Sequence, residues 1–212
     1  MLHKEAIEPG TLELLIELQK TNLLSDFYLA GGTALAIQLG HRKSIDLDLF
    51  SQHDFAMNNM LEFLEEQFSF QLDYSAKNTL KGSINNVKID IITHKYSLVK
   101  NPVKWQETTL LSAEDIAAMK LNAITGDGTR PKDFIDVYFL LKQYSVSNLL
   151  DFYRIKYKTR NILHVLKSLN YFDDINTDDW PEMLMEKDVN LEKVRQTIED
   201  HIADYSRKHL TN

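Results

Sequence analysis

The sequence predicts an α+β protein, with strands and short helices up to about residue 100 and helices alone after it. Strand-like runs cluster early, at residues 27–30, 45–49, 70–75, 80–84 and 87–93, separated by stretches of helical period. Residues 94–109 contain Pro102 and little periodicity, so a linker is expected there. Beyond that point the apolar residues recur only at helical spacing. The expected division is therefore 1–100 for the sheet-bearing part and 101–212 for a helical part that completes a cleft.

Each early element has a local reason. Glu8-Pro9-Gly10-Thr11 reads as a helix entry, and Leu12, Leu14, Leu15, Ile16 and Leu18 follow at near-helical spacing. A short helix is expected over 33–39, with Gly40 as its C-cap. Residues 55–68 form an amphipathic helix whose Met57, Met60, Leu61, Leu64 and Phe68 share one side. Asn85-Asn86 sits between two strand-like runs, and asparagine tolerates the positive φ that a tight hairpin needs. Later, Ser112 followed by Glu114 and Asp115 marks a capped helix start, and Pro131 suits the first turn of the next helix. Further helices are expected near 148–157, 161–169 and 191–208.

Bulk composition narrows the class. A chain of 212 residues can bury roughly 70% of its unfolded surface, enough for a proper core. No apolar run approaches the ~20 residues of a membrane span, and the start MLHKEAIEPG has no secretory apolar segment. Cysteine is absent, which excludes disulfides and thiolate zinc sites and accords with a cytoplasmic location. The net charge of −7 argues against a general nucleic-acid coat, so any RNA contact must come from a local basic patch. Seven histidines are scattered without an H-x-x-x-H pair, and no Walker-type glycine loop or G-x-S-x-G elbow occurs.

The chemistry concentrates between Tyr28 and Phe50. Gly31-Gly32-Thr33 follows a strand-like run and opens a helix; its free N–H groups suit a phosphate. Ile45, Leu47 and Leu49 then alternate with Ser44, Asp46 and Asp48, so both carboxylates emerge on the face away from the core. Two such neighbours repel unless a cation neutralises them, and a hard divalent ion with oxygen ligands, Mg²⁺ carrying nucleotide phosphates, fits best. Asp90 alternates with Val87, Ile89 and Ile91 and joins this cluster if its strand lies beside the first; otherwise it is an ordinary surface aspartate.

Two polar features of the second half stand out. Lys120 has Ile116, Ala117, Ala123 and Ile124 around it on its own helix face. Either its stem snorkels to solvent or its ammonium points into the cleft to offset phosphate charge. Asp133 and Asp136 share a face at i, i+3, where acids commonly just favour the helix dipole. Arg154, Lys156, Lys158, Arg160 and Lys167 make the C-terminal part locally basic, a solvated helix surface or the footprint of a polynucleotide.

A glycine-glycine-threonine turn, a short helix and a DxD strand resemble the nucleotidyltransferase fold of the DNA polymerase beta superfamily. The fuller string GGTALA…LGHRxSxDLDLF is similar to the AbiEii/AbiGii-type nucleotidyltransferase toxins of bacterial toxin–antitoxin systems, and K-D-x-x-D at Lys132–Asp136 extends the likeness. The resemblance implies a nucleotidyltransferase-type mixed sheet with flanking helices, then a helical bundle. It implies Asp46 and Asp48 as metal ligands and, with Lys120, Asp133 and Asp136, as part of the catalytic group; Asp90, expected as the third metal ligand, is a single acid where some relatives carry a second carboxylate-containing motif. Gly31, Gly32, Thr33, Arg42, Ser44 and Lys132 are implied on the nucleotide. It further implies Mg²⁺, an NTP, an RNA acceptor such as tRNA, and a separately encoded antitoxin. Rival readings keep the fold but transfer to a protein hydroxyl, or bind nucleotide without catalysis.

Overall fold

A computed structural model describes residues 2–209. Helix α1 (Pro9–Lys20) starts with proline at its first turn and buries Leu14, Leu15 and Leu18. Strand β1 (Tyr28–Ala30) runs straight into α2 (Gly31–Leu39), which ends at Gly40 in the left-handed region. Then come β2 (Leu47–Ser51), α3 (Met57–Phe68), β3 (Gln71–Ala76), β4 (Thr79–Ile84) and β5 (Val87–Thr93). Asn85 and Asn86 both take positive φ in the β4–β5 hairpin, as that turn chemistry requires.

The segment expected as a linker is not one. It carries β6 (Val103–Trp105) and β7 (Thr108–Leu110), an antiparallel hairpin whose second strand runs parallel to β1. Leu111 N–H donates to the Leu29 carbonyl at 2.8 Å. Three-residue strands are too short to display a period of two, which is why the sequence pattern passed over them.

The seven strands order as β3-β4-β5-β2-β1-β7-β6. β2 pairs antiparallel with β1 and parallel with β5, so the sheet is mixed, as expected. Helices follow: α4 (Ala113–Gly126), α5 (Pro131–Leu140), α6 (Val146–Tyr157), α7 (Leu163–Leu169) and α8 (Leu191–His209). Ser112 caps α4 by accepting from Asp115 N–H, and Pro131 opens α5. Helix α2 packs on both α4 and α5, and one apolar core runs from Ile7 to Tyr205. No described helix is long and apolar enough to cross a membrane.

Candidate active site

The alternation of β2 does what its sequence dictates. Leu47 and Leu49 are fully buried, and Asp46 and Asp48 line a cleft of about 1040 Å³ on the other face. Asp90 lies directly beside Asp48, because β5 runs parallel to β2 in the register Asp48↔Asp90. The three predicted carboxylates thus meet on one face of two adjoining strands.

The glycine turn closes on them. Gly31 holds φ +66°, and a Cβ there would stand 1.9 Å from Asp48 Oδ2. Gly32 is pressed as tightly against Arg42, whose Nη2 would lie 2.3 Å from an added Cβ. Helix α2 has no side-chain cap, so its first N–H groups remain available to an anion at the cleft wall. Thr33 and Ser44 act differently from simple ligands. The Thr33 hydroxyl donates to the Asp46 carbonyl and shares a second bond with the Ser44 hydroxyl at 2.8 Å, fastening the helix start to the carboxylate strand.

Gly31→Ala combines an unfavourable φ with a collision on the Asp48 carboxylate, which would have to shift from its place beside the turn. It is expected to cost about 1–3 kcal/mol of stability and to abolish nucleotidyl transfer, read by urea unfolding and by label incorporation.

Electrostatics mark Asp48 as the strained group. Burial first, then the neighbouring Asp90 and Asp46, raise its pKa from near 3.8 to about 6, against the opposing pull of Lys120 and Arg130. Neither Asp46 nor Asp48 makes a side-chain hydrogen bond or ion pair among the described residues. Asp90 is instead held by Lys81 Nζ at 2.6 Å, and no three acidic or histidine side chains among the described residues stand gathered as a closed ligand set. Unpartnered, mutually repelling oxygen donors beside a phosphate-suited turn are of the kind that a hard divalent cation takes.

Behind the cleft lies a buried charge cluster. Lys120 Nζ bonds Asp133 Oδ1 at 2.6 Å and Asp136 Oδ2 at 2.8 Å. Arg42 grips Asp136 with Nε at 2.7 Å and Nη2 at 3.0 Å, and His41 Nε2 donates to the same carboxylate at 2.8 Å. Burial alone would raise the Asp136 pKa; the Arg42 and Lys120 charges overcome this and hold it well below the carboxylate range. Lys120 lines the cleft, and its ammonium is tied to two buried aspartates that already share its charge. Asp133 also lines the cleft, and its Oδ2 is buried without a hydrogen-bond partner. Asp136 is fully buried and does not line the cleft; it anchors Arg42, His41 and Lys120.

Lys132 lines the rim, paired with Asp179 at 2.7 Å. Asp179 and Glu182 belong to the segment after α7, which returns to β2's approach: Lys43 N–H donates to the Glu182 carbonyl at 2.9 Å. The basic C-terminal run is less available than its sequence suggests. Lys156 is 1% exposed and bonds the equally buried Asp115 at 2.8 Å.

Sequence reasoning gave Arg130 no role at the site, although an arginine ahead of K-D-x-x-D is part of the family likeness. Its side chain is 61% exposed at the cleft, and its one ion pair is a loose 3.9 Å approach to Asp133 Oδ2. The signal was its place between the lysine-bearing helix and the helix that carries the two aspartates, just before Pro131.

A mixed sheet with a glycine turn leaning on paired aspartates defines a nucleotidyltransferase. The chain matches the family model "Nucleotidyl transferase AbiEii toxin, Type IV TA system" over residues 13–204, and it belongs to that family. It is 33% identical over 168 residues to the uncharacterised protein aq_aa25 of Aquifex aeolicus (strain VF5), covering 76% of this chain and 81% of that one. JHP933 from Helicobacter pylori shares the fold at TM-score 0.56 and 16% identity, over 95% of this chain and 94% of its own. A proposed nucleotidyltransferase from H. pylori gives 0.55 and 17%, over 98% and 97%.

Proposed function

We propose that this protein transfers a nucleotide from an Mg²⁺-bound NTP to an RNA acceptor, tRNA foremost, as the growth-arresting member of a toxin–antitoxin pair. It would act in the cytoplasm and be restrained by a separately encoded antitoxin. The observation that carries the reading is the contact of Gly31 with Asp48, which puts a phosphate-suited turn against the cation-seeking carboxylates.

In this reading Asp46, Asp48 and Asp90 hold Mg²⁺, which when bound supplies charge neutralisation on the triphosphate. The α2 N–H groups and Arg130 take the phosphates that leave. Asp90, released from Lys81, stands where a proton from the attacking hydroxyl can be accepted. Lys120, Arg42, Asp133 and Asp136 keep the glycine turn and the cleft wall rigid, and Lys132 guards the rim. So few reacting side chains suffice because phosphoryl chemistry is mostly positioning and electrostatics. The helical half also gives the site a second wall, which suits an extended acceptor better than a small protein loop.

The test is incubation with Mg²⁺, labelled NTPs and bulk tRNA, beside a parallel sample with bulk protein. Label on tRNA from wild type and none from Asp48→Ala supports the reading. Label on protein instead moves the acceptor to a protein hydroxyl, and nucleotide binding with no transfer in either sample sinks it.

Arg130→Ala should separate donor from acceptor. A charge-assisted phosphate bond is worth about 1.5–3 kcal/mol, so the KM for NTP should rise roughly 10- to 100-fold. The KM for tRNA should stay within about twofold of wild type if Arg130 meets the donor phosphates, as this reading has it. Arg130→Lys should recover part of the loss, because a point charge remains without the two-pronged guanidinium.

A further inference from the structure

We infer that the outer strands of the sheet form the acceptor side of the site, with Tyr74 stacking on a base of the acceptor RNA and Lys81 engaging its backbone. This rests on the reading of the protein as an RNA-directed transferase, and it assigns residues that neither family motif nor glycine turn includes.

The observation is one row of the sheet. Tyr74 pairs with Lys81, Lys81 with Asp90, Asp90 with Asp48, and Asp48 with Ala30, the residue before the glycine turn. Directly opposed residues point to the same face. At roughly 4.8 Å between strands, this row places an aromatic ring, an ammonium, two carboxylates and the phosphate-suited turn in a straight line about 19 Å long.

Transfer needs the attacking hydroxyl and the leaving pyrophosphate on opposite sides of the transferred phosphorus. The carboxylates sit mid-row and the phosphate turn at one end, so the acceptor must come from the other. That end holds Tyr74 and Lys81, both lining the same cleft.

Packing does not hold Tyr74 there. β3 is exposed along its whole length, and Tyr74 keeps 55% of its surface in water. A register shift between Leu72 and Tyr74 breaks the strand's alternation, so Asp73 and Tyr74 both reach the cleft. An exposed aromatic next to a lysine is the usual platform for single-stranded nucleic acid. Lys81, 42% exposed and bonded to Asp90, can exchange that carboxylate for an RNA phosphate. The exchange frees Asp90 as the acceptor arrives.

Two measurements decide it. Binding of bulk tRNA is followed by fluorescence anisotropy in EDTA, and transfer kinetics are followed with Mg²⁺, NTP and tRNA. Loss of one stacked base should weaken tRNA binding and raise the tRNA KM by roughly 5- to 100-fold in Tyr74→Ala. The KM for NTP should stay within about twofold, the reverse of Arg130→Ala. Tyr74→Phe should behave as wild type, because it keeps the ring, and Lys81→Met should weaken tRNA binding in EDTA. Wild type that labels tRNA while Tyr74→Ala shows unchanged tRNA binding and KM overturns this inference alone. So does a rise in both KM values together. Wild type that labels only protein overturns the RNA reading and this inference with it.

Discussion

Asp48→Asn is expected to abolish transfer while making the protein more stable. Losing the central carboxylate removes charge stabilisation worth several kcal/mol, so the rate should fall by roughly three orders of magnitude. The stability gain comes from the same position. Burial and the Asp90 and Asp46 charges raise the folded pKa of Asp48 to about 6, so folding favours its protonated form. Below about pH 4 Asp48 is protonated whether folded or unfolded, and the substitution should be nearly neutral. Between about pH 4 and 6 the unfolded chain ionises first, and the native state of the wild type loses ground. Above about pH 6 the penalty is complete; a shift of this size corresponds to about 3 kcal/mol at most, and about 1–3 for a carboxylate partly open to solvent. Urea unfolding near pH 8 should therefore show Asp48→Asn more stable than wild type, and near pH 4 the two curves should coincide. Added Mg²⁺ should stabilise wild type more than Asp48→Asn, which keeps only Asp46 and Asp90 as charged oxygen donors. Equal midpoints at both pH values would show that Asp48 carries no electrostatic strain.

Asp46 and Asp48 were legible because a period of two fixes which side chains face away from the core, whatever the rest of the fold does. Asp90 was legible only conditionally. Its own face could be read, but the strand beside it could not, since β2 and β5 are parallel and separated by a helix and two strands. The register row from Tyr74 to Ala30 was invisible for the same reason, made worse by the irregularity in β3. The buried cluster shows a further limit. Lys120, Asp133 and Asp136 drew notice for their place on helices, yet the partner that fixes their role, Arg42, lies 94 residues from Asp136. Lys156 failed as a surface residue because its partner, Asp115, is on a different helix packed against its own. Period and composition report which way a side chain faces. They do not report what waits there.

Asp136→Leu is expected to be the most destabilising single substitution at the site, and a second substitution should undo much of it. The cluster balances: Arg42 and Lys120 against Asp133 and Asp136, all buried, with burial lowering the pKa of His41. Removing Asp136 leaves two cations on one carboxylate, a buried net charge that costs about 3–5 kcal/mol. Its folded pKa lies well below that of the unfolded chain, so its contribution is complete above about pH 4 and is lost as pH falls towards the folded value. The loss should thus be largest in urea unfolding at neutral pH. Adding Arg42→Met restores neutrality, leaving Lys120 with Asp133, and should recover at least about 2 kcal/mol of it. If Asp136→Leu alone does not fold, recovery of a cooperative transition in the double variant carries the same information. Activity should not return with stability. The Arg42 guanidinium packs against Gly32, and without it the glycine turn loses the backing that holds it on Asp48. A stable double variant with full transfer activity would show that Arg42 and Asp136 fold the protein without positioning its site.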